Sequence, residues 1–260
     1  MTILDELAGY ARVRTDRAKE KIPAQEMEER ARALPKGEPV FENAIRKDGM
    51  SFICEVKKAS PSKGIIAPDF PYLSIAQEYE EAGADAISVL TEPKWFLGSD
   101  AILREIASRV STPCLRKDFT VDPYMIYEAK TLGASAVLLI CAICSAKELS
   151  QDLEIAASLG LSAIVEAHDE KEIAMALSAG AGIIGVNNRN LKDFSVDTEN
   201  SRRLRDLVPP EVAFVSESGV RSKEDMKKLR EIGVDAVLIG ESLMRSGDKK
   251  GLLTEWRRVS

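Results

Sequence analysis

Two charged side chains, Glu55 and Lys57, stand at the end of an apolar stretch, FICEV, that is typical of a buried strand. Charged side chains are rare inside a strand unless they are paired or have a chemical role. Because side chains alternate along a strand, Glu55 and Lys57 share one face, whereas Phe52, Cys54 and Val56 share the other. The apolar face suits packing under helices, so the pattern places an acid and a base together on the opposite face.

Similar polar side chains end other apolar stretches. Lys117 follows PCLR, Glu166 follows SAIV, Glu217 follows AFVS, and Asn187 and Arg189 lie beyond IIGV. Each could alone form a buried ion pair. If the ends of these stretches meet, however, lysines and glutamates share one site and could transfer protons without a metal or an organic cofactor. Nearby carboxylates would favour the charged form of a lysine, which suits a general acid.

A recurring unit indicates how these ends could meet. A helical pattern, a glycine and a short apolar run follow one another at GADAISVL, GASAVLLI, GLSAIVEA, GAGIIGVN and GVDAVLIG, which begin at residues 83, 133, 160, 180 and 233. Each glycine is expected just past the end of a helix. The two longest intervals between these runs, 83 to 133 and 180 to 233, each contain one more apolar stretch, PCLRKDF and VAFVSES. A further stretch, FICEVK, precedes the first run. This predicts eight strands, which begin near residues 52, 86, 113, 136, 163, 183, 212 and 236.

Apolar strands that alternate with helices indicate a parallel sheet. Eight such units predict the α/β fold of a single (β/α)8 TIM barrel, one domain over residues 1–260. The alternative, a doubly wound open sheet, more typically has fewer strands and a glycine-rich first turn. Residues 1–48 are predicted to form a helical N-terminal extension, with helices over 4–21, 24–34 and 41–48, because they are too few for a core of their own.

The predicted barrel also indicates where a phosphate would bind. In such barrels the site lies at the carboxyl ends of the strands, and the last two loops with a short helix often bind phosphate. Gly219 and Gly240 follow the seventh and eighth predicted strands, and ESLMR would be the short helix. These glycines could serve only as turn residues, but their placement favours close approach of the backbone to a phosphate.

Composition and charge limit the kinds of partner that this protein is expected to bind. The chain of 260 residues has a net charge of −6 and a pI near 5.2, without a basic stripe, so a nucleic-acid partner is not expected. An anionic small-molecule substrate remains compatible with a local positive charge. The sequence contains no signal peptide and no long apolar run, so we expect no membrane partner and a cytoplasmic location. We expect a monomer or a weak homo-oligomer.

The CxxC pair and the single histidine are residue types that often carry chemistry. Cys141 and Cys144 form a CxxC pair, but zinc would need two more ligands, so we expect reduced thiols and no metal site. The only histidine, His168, could touch the site through nearby Glu166. We expect it instead to serve at the start of the following helix, beside Asp169.

The polar strand ends also carry a resemblance to a known family. In order, EVKKASPSKG, VLTEPKWFLGS, LRKDFTVDPYMIYEA, AVLLI, IVEAHDE, GVNNRNLKDFSVD, VSESGV and LIGESLMR resemble the motif series of the indole-3-glycerol-phosphate synthases, from about residue 50 to 245. The resemblance implies a TIM-barrel lyase of tryptophan biosynthesis that uses no cofactor. It would convert 1-(2-carboxyphenylamino)-1-deoxyribulose 5-phosphate to indole-3-glycerol phosphate, releasing CO₂ and water. A helical N-terminal extension is also expected of that family.

The resemblance implies a role for each strand-end residue. Lys117 resembles the general acid that protonates the substrate ketone oxygen during ring closure, and Glu166 resembles the carboxylate of the acid/base steps. Lys57, held by Glu55, resembles the second lysine, and which lysine acts in dehydration stays open. Asn187 resembles the residue that stabilises polar groups of the substrate.

The resemblance also implies which residues complete the catalytic site and which bind the substrate. Glu217 and Ser218 complete the catalytic site, and Ser60 and Arg189 resemble binders of the anthranilate carboxylate. An apolar slot for the aromatic ring is expected from Phe96, Phe119 and Leu138. The phosphate is expected at Lys57, Ser218, Gly219, Gly240 and Glu241.

Two other functions stay open. A lyase or aldolase could use Lys117 or Lys57 to form a Schiff base with a sugar phosphate, although three nearby carboxylates disfavour a neutral amine. A barrel kept as a binding module would be expected to lose its polar strand ends, whereas here they are present.

Overall fold

The computed structural model describes residues 2–190 and 195–259, and its centre is a closed barrel of parallel strands. The strands are β1 (Ser51–Val56), β2 (Ala86–Leu90), β3 (Cys114–Lys117), β4 (Ala136–Ile140), β5 (Ser162–Ala167), β6 (Ile183–Asn187), β7 (Ala213–Glu217) and β8 (Ala236–Ile239). All neighbours pair in parallel, and β8 returns to β1 with Ala236 opposite Ser51. The predicted barrel is confirmed, each strand beginning within one residue of its predicted start.

Helices alternate with the strands as predicted. They are α1 (Ile3–Lys21), α2 (Ala24–Arg32), α3 (Val40–Ile45), α4 (Tyr72–Glu81), α5 (Asp100–Ala107), α6 (Pro123–Thr131), α7 (Ala146–Ser158), α8 (Glu170–Ala179), α9 (Glu199–Arg205), α10 (Lys223–Glu231), α11 (Glu241–Arg245) and α12 (Lys249–Arg257). The five repeated glycines all have positive φ, which confirms their predicted place after helices. None of the described helices is both long and apolar enough to cross a membrane.

Strand alternation divides the core into two layers. The side chains of Ile53, Leu115 and Ile164 point into the barrel. They belong to one cluster of buried apolar residues, which we call the interior cluster. Phe52 and Cys54 belong instead to the larger cluster between the strands and the helices. The predicted parity is therefore confirmed, and it determines which strand-end residues can reach the interior.

The third N-terminal helix closes one end of the barrel. Phe41 and Ile45 of α3 are fully buried in the interior cluster. Their cluster includes Ala86, Ala136 and Ala236, each the first residue of its strand, so α3 covers the amino ends of the strands. This helix is shorter than predicted, because the chain leaves the helical conformation after Ile45.

The first N-terminal helix lies at the opposite end. Two guanidinium nitrogens of Arg14 bind the buried carboxylate of Asp118, at 2.6 and 3.2 Å. Lys19 binds Asp122, which caps α6, at 2.6 Å. Both aspartates follow β3, so α1 is fastened beside the carboxyl end of that strand, and Leu7 of α1 reaches the barrel mouth.

Candidate active site

A cavity of about 340 Å³ opens at the carboxyl ends of the strands, and we call it the mouth cavity. All fifteen residues predicted for the site line it: Glu55, Lys57, Ser60, Phe96, Lys117, Phe119, Leu138, Glu166, Asn187, Arg189, Glu217, Ser218, Gly219, Gly240 and Glu241. The structure therefore brings together residues from β1, β3, β4, β5, β6 and β7 and from the adjoining loops.

Lys117 stands at the centre of the charged groups. Its ammonium forms a short hydrogen bond with Glu217 and lies 3.5 Å from Oε2 of Glu166. Burial lowers the pKa of Lys117, but the carboxylates of Glu217, Glu166 and Glu55 outweigh it and raise the pKa above its usual value. The side chain therefore stays an ammonium that can donate a proton, which disfavours an amine nucleophile.

The two carboxylates beside Lys117 differ in their surroundings. Burial raises the pKa of Glu166, but Lys117, His168 and a hydrogen bond of 3.2 Å from Asn187 bring it below the usual value. Burial also raises the pKa of Glu217; Lys117 lowers it, Glu166 raises it, and the net pKa is above the usual value. Glu166 is thus the better-stabilised anion and can accept a proton from a bound molecule.

The second ion pair of the site lies on β1. Lys57 forms a short hydrogen bond with Glu55, as their shared face predicted. Gly240, after β8, leaves the space they fill, because a Cβ there would lie 2.3 Å from Oε1 of Glu55 and 2.8 Å from Nζ of Lys57. The ion pair therefore requires a glycine at position 240, apart from the role predicted for Gly240 at the phosphate.

The part of the mouth cavity where a phosphate is predicted is built from the loops after β7 and β8. Ser218 and Gly219 both have positive φ, 66° and 98°, and Gly240 immediately precedes α11. The carboxylate of Glu241 lies 3.1 Å from Arg245, so its predicted contribution to anion binding is its backbone N–H rather than its side chain. Arg221 and Arg245 also line the cavity, and neither was among the predicted site residues.

Apolar side chains form one wall. The rings of Phe96 and Phe119 lie 6.1 Å apart, and Leu138 of β4 lines the same cavity. The loop that carries Phe96 is ordered by the fully buried Glu92, whose carboxylate accepts three successive backbone N–H groups at 2.7 to 2.9 Å. Leu7 of α1 completes the wall, and it was not predicted. It lies more than a hundred residues before Phe119 in the sequence, and no pattern within α1 indicates this contact.

The predicted carboxylate binders lie in two loops. Ser60 belongs to a two-residue strand, Ala59–Ser60, which pairs with Gly64–Ile65 after β1. Arg189 follows β6, and its backbone N–H donates to Oδ1 of Asn187 at 3.0 Å. The part of the GVNNRNLKDFSVD motif at 191–194 lies outside the described residues.

The expectation for His168 was incomplete. It does precede Asp169, which caps α8, and its ring contacts Glu172 in the first turn of that helix. Its other ring nitrogen, however, lies 3.3 Å from Oε1 of Glu166. Its position two residues after Glu166, near the end of the same strand, was the available signal.

The thiols of the CxxC pair donate to backbone carbonyls, Cys141 to Glu172 and Cys144 to Ile140. Cys141 and Cys144 carry free thiols near the end of β4. Burial raises the pKa of Cys141 to about 12 and that of Cys144 to about 11, so both are protonated at neutral pH. Within residues 2–190 and 195–259, no group of three or more His, Cys, Asp or Glu side chains is arranged to hold a metal ion.

Known proteins share both the sequence and the fold. The sequence model of the family described as indole-3-glycerol phosphate synthase matches residues 4–255. The enzyme of that name from Ruminiclostridium cellulolyticum is 53% identical over 256 residues, covering 98% of each chain. The one from Endomicrobium trichonymphae is 54% identical over 247 residues, covering 95% of this chain and 96% of its own.

A solved structure supports the fold alone. The 3-hexulose-6-phosphate synthase from Salmonella typhimurium superposes with a TM-score of 0.67 at 14% identity, covering 81% of this chain and 98% of its own. Family match, near-complete coverage and the barrel agree. The chain belongs to the indole-3-glycerol phosphate synthase family.

Proposed function

We propose that this chain closes the indole ring of 1-(2-carboxyphenylamino)-1-deoxyribulose 5-phosphate, releasing CO₂ and water, in tryptophan biosynthesis. The family and its relatives support a carbon–carbon lyase with this reaction. The observation that carries the assignment is Lys117, which stays charged between Glu166 and Glu217 inside an apolar-walled mouth.

Ring closure needs a proton donor at the ketone oxygen. When the electron-rich ring carbon attacks the ketone, negative charge develops on that oxygen, and the Lys117 ammonium neutralises it by proton transfer. The carbon–carbon bond forms as the carbonyl bond becomes a hydroxyl. Loss of CO₂ from the attacking ring carbon leaves the electron pair of the broken bond in the ring and restores aromaticity.

Dehydration needs an acid and a base. An ammonium gives a proton to the departing hydroxyl, and Glu166 takes a proton from the adjoining carbon or nitrogen as the double bond forms. Lys57, held by Glu55, is the second candidate acid, and Asn187 orients Glu166 and polar groups of the substrate. Glu217 supports the charged state of Lys117.

Binding uses the two ends of the mouth cavity. We place the phosphate at Ser218, Gly219, Gly240 and the backbone of Glu241, with Lys57 nearby. Ser60 and Arg189 would hold the anthranilate carboxylate. The aromatic ring would lie against Phe96, Phe119 and Leu138, where burial of its apolar surface stabilises the complex.

The proposal includes the wider setting of the enzyme. We propose one domain over residues 1–260, because α1 and α3 are built into the two ends of the barrel. A biosynthetic role supports a cytoplasmic location, and the net charge of −6 supports a small anionic substrate, bound through local lysines and arginines, over a nucleic acid. We propose a monomer or a weak homo-oligomer that uses no cofactor.

Indole fluorescence tests the reaction directly. Purified protein mixed with the carboxyphenylamino-deoxyribulose phosphate should produce rising indole fluorescence, and Lys117→Ala should abolish the rise while substrate binding persists. A folded wild type that binds the substrate without a rise would refute the synthase assignment. Trapping with borohydride in the presence of substrate would then separate a Schiff-base enzyme from a binding module.

A further inference from the structure

His168 touches the proposed base Glu166 from outside the mouth cavity. Its Nε2 is buried, makes no hydrogen bond to the described residues and lies 3.3 Å from Oε1 of Glu166. The ring lines a separate cleft of about 470 Å³ between the loops that follow β5 and β6. His168 therefore stands between the catalytic carboxylate and a second opening of the protein.

The opposite edge of the ring is anchored. Nδ1 of His168 lies 3.1 Å from Oε2 of Glu172, and the backbone N–H of His168 donates to the same oxygen at 2.8 Å. Glu172 is in turn fixed in the first turn of α8, which Asp169 caps through two backbone N–H groups. With Nδ1 held on Glu172, Nε2 has one orientation, toward Glu166.

The two oxygens of Glu166 then have different surroundings. Oε1 accepts a hydrogen bond from Asn187 at 3.2 Å and faces His168. Oε2 lies 3.5 Å from Lys117, on the side of the mouth cavity. One oxygen thus lies between Asn187 and the His168 ring, and the other lies beside Lys117, on the side from which a base would reach a proton of the substrate.

The charges around the ring favour its protonated form. Carboxylates face it from three elements, Glu166 on β5, Glu172 on α8 and Glu217 on β7. Burial lowers the pKa of His168, but the hydrogen bond to Glu172 and these charges raise it to about 9. The imidazolium in turn lowers the pKa of Glu166.

Other elements bring charges of both signs to the cleft, among them the carboxylates of Asp169 and Asp197. From α9, the Asn200 amide donates to the backbone carbonyl of His168 at 3.4 Å and is neutral. Arg203 lines the same cleft and lies 3.6 Å from Glu170, whereas Arg189 lines it from the loop after β6.

We propose that His168 is a positioning residue for Glu166: its imidazolium, anchored by Glu172, holds one oxygen of the catalytic carboxylate so that the other faces the substrate beside Lys117. This inference rests on the proposed role of Glu166 as the base. It gives the lone histidine a function that its place at the start of α8 does not require.

Because the chain has one histidine, nuclear magnetic resonance of the imidazole tests the contact without substrate. The single ring should titrate near pH 9. Coupling between two sites is reciprocal, so Glu166→Gln should lower the pKa of His168 by about one unit, and Glu172→Gln should lower it at least as much. Glu170→Gln, an exposed neighbour in the same turn, is the matched control and should leave it unchanged. A titration unmoved by Glu166→Gln would overturn the proposal.

Kinetics test whether the contact matters for turnover. His168→Gln should lower kcat about tenfold or more while KM changes by less than about threefold, because the substrate does not touch His168. Loss of the cation should also move the acid limb of the kcat/KM profile up by about one pH unit. In Glu172→Gln the ring stays protonated at the pH of this limb, so the limb should not move up, and it should not move in Glu170→Gln either.

The outcomes separate the two proposals. A wild type that forms no indole product fails the proposed function, and the resonance titration then decides alone whether His168 holds Glu166. An active wild type whose acid limb and kcat are the same in His168→Gln and in Glu170→Gln overturns the positioning role and leaves the synthase function standing.

Discussion

Gly185 of β6 leaves the space into which the carboxylate of Glu217 turns. A Cβ atom at position 185 would lie 2.3 Å from Oε1 of Glu217 and 2.8 Å from Cγ2 of Ile164. This Oε1 is buried and has no hydrogen bond to the described residues, while the other oxygen binds Lys117. The absent side chain on β6 therefore leaves room for the carboxylate of Glu217 on the adjacent strand, which pairs with Lys117 of β3.

Gly185→Ala should lower activity more than stability alone explains. The added methyl must displace the Glu217 carboxylate or Ile164, and overpacking of this kind costs about 1–3 kcal/mol. Displacement of Glu217 also moves the ammonium of Lys117, and misplacement by about 1 Å can cost about a hundredfold in rate. We expect kcat to fall by about tenfold to a hundredfold in a protein that remains folded by circular dichroism.

Gly182→Ala is the matched control for this prediction. At position 182, just before β6, a Cβ would meet Glu42 oxygens at an ordinary 3.6 and 3.8 Å. Its kcat should equal that of the wild type. Equal loss of activity in both variants would show that Gly185 acts through general stability of β6 and not through Glu217.

The buried pair of Arg14 and Asp118 should stabilise the attachment of α1. The side chain of Asp118 has no exposed surface and also accepts the hydroxyl of Thr91 at 2.6 Å. Asp118→Asn leaves the guanidinium half-paired, and breaking one partner of a buried pair costs about 3–5 kcal/mol. Urea unfolding should show a loss of this order, with KM raised because Leu7 and Phe119 lose their support.

Two further variants define this prediction. Arg17→Met, an exposed change on the same helix, should leave the unfolding free energy within about 0.5 kcal/mol of the wild type. The double variant Arg14→Met/Asp118→Asn should lose less than the sum of its single variants, because it leaves neither charge unpaired. Strict additivity would mean that the two side chains do not interact in solution.

The barrel and most of the site were predictable because their signals are local. Alternation along each strand and the glycine that ends each helix lie within a few residues of one another, so strand starts were predicted to within one residue. Parallel strands then bring Lys117, Glu166 and Glu217 to one end without any knowledge of the loops.

What the sequence did not show depends on contacts between distant elements. Leu7 reaches the cavity because α1 is fastened to Asp118, and no pattern within α1 indicates that partner. The need for a glycine at position 185 arises from the Glu217 carboxylate on the next strand, and no pattern around Gly185 indicates that neighbour. For His168, the helix-start reading described one edge of the ring correctly and left out the other.

The stability of the protein should decline in mild alkali through His168. Its pKa in the folded state is about 9, above the usual 6.5, so the stability it contributes is fully present below about pH 6.5 and is lost as pH rises through about 9. Urea unfolding at a series of pH values should show the wild type losing its advantage over His168→Gln across this interval. An advantage that stays constant from pH 6 to about 9.5 would contradict a charged histidine.

Ser218→Ala should weaken substrate binding more than it slows the chemistry. Ser218 lines the cavity where we place the phosphate, and a hydrogen bond to a charged group contributes about 1.5–3 kcal/mol. Steady-state kinetics should therefore show KM raised by about tenfold to a hundredfold with kcat within about threefold. A large fall in kcat at unchanged KM would place Ser218 in the chemical step instead.

Ser218→Gly separates the hydroxyl from the backbone at this position. Ser218 has a φ of 66°, a conformation that costs a non-glycine residue about 1–2 kcal/mol. The glycine variant should raise KM as the alanine variant does, because both lack the hydroxyl, yet it should unfold at a higher urea concentration than Ser218→Ala. If glycine restored the wild-type KM, the phosphate would be held by the backbone of this turn, and the hydroxyl of Ser218 would have no part in binding it.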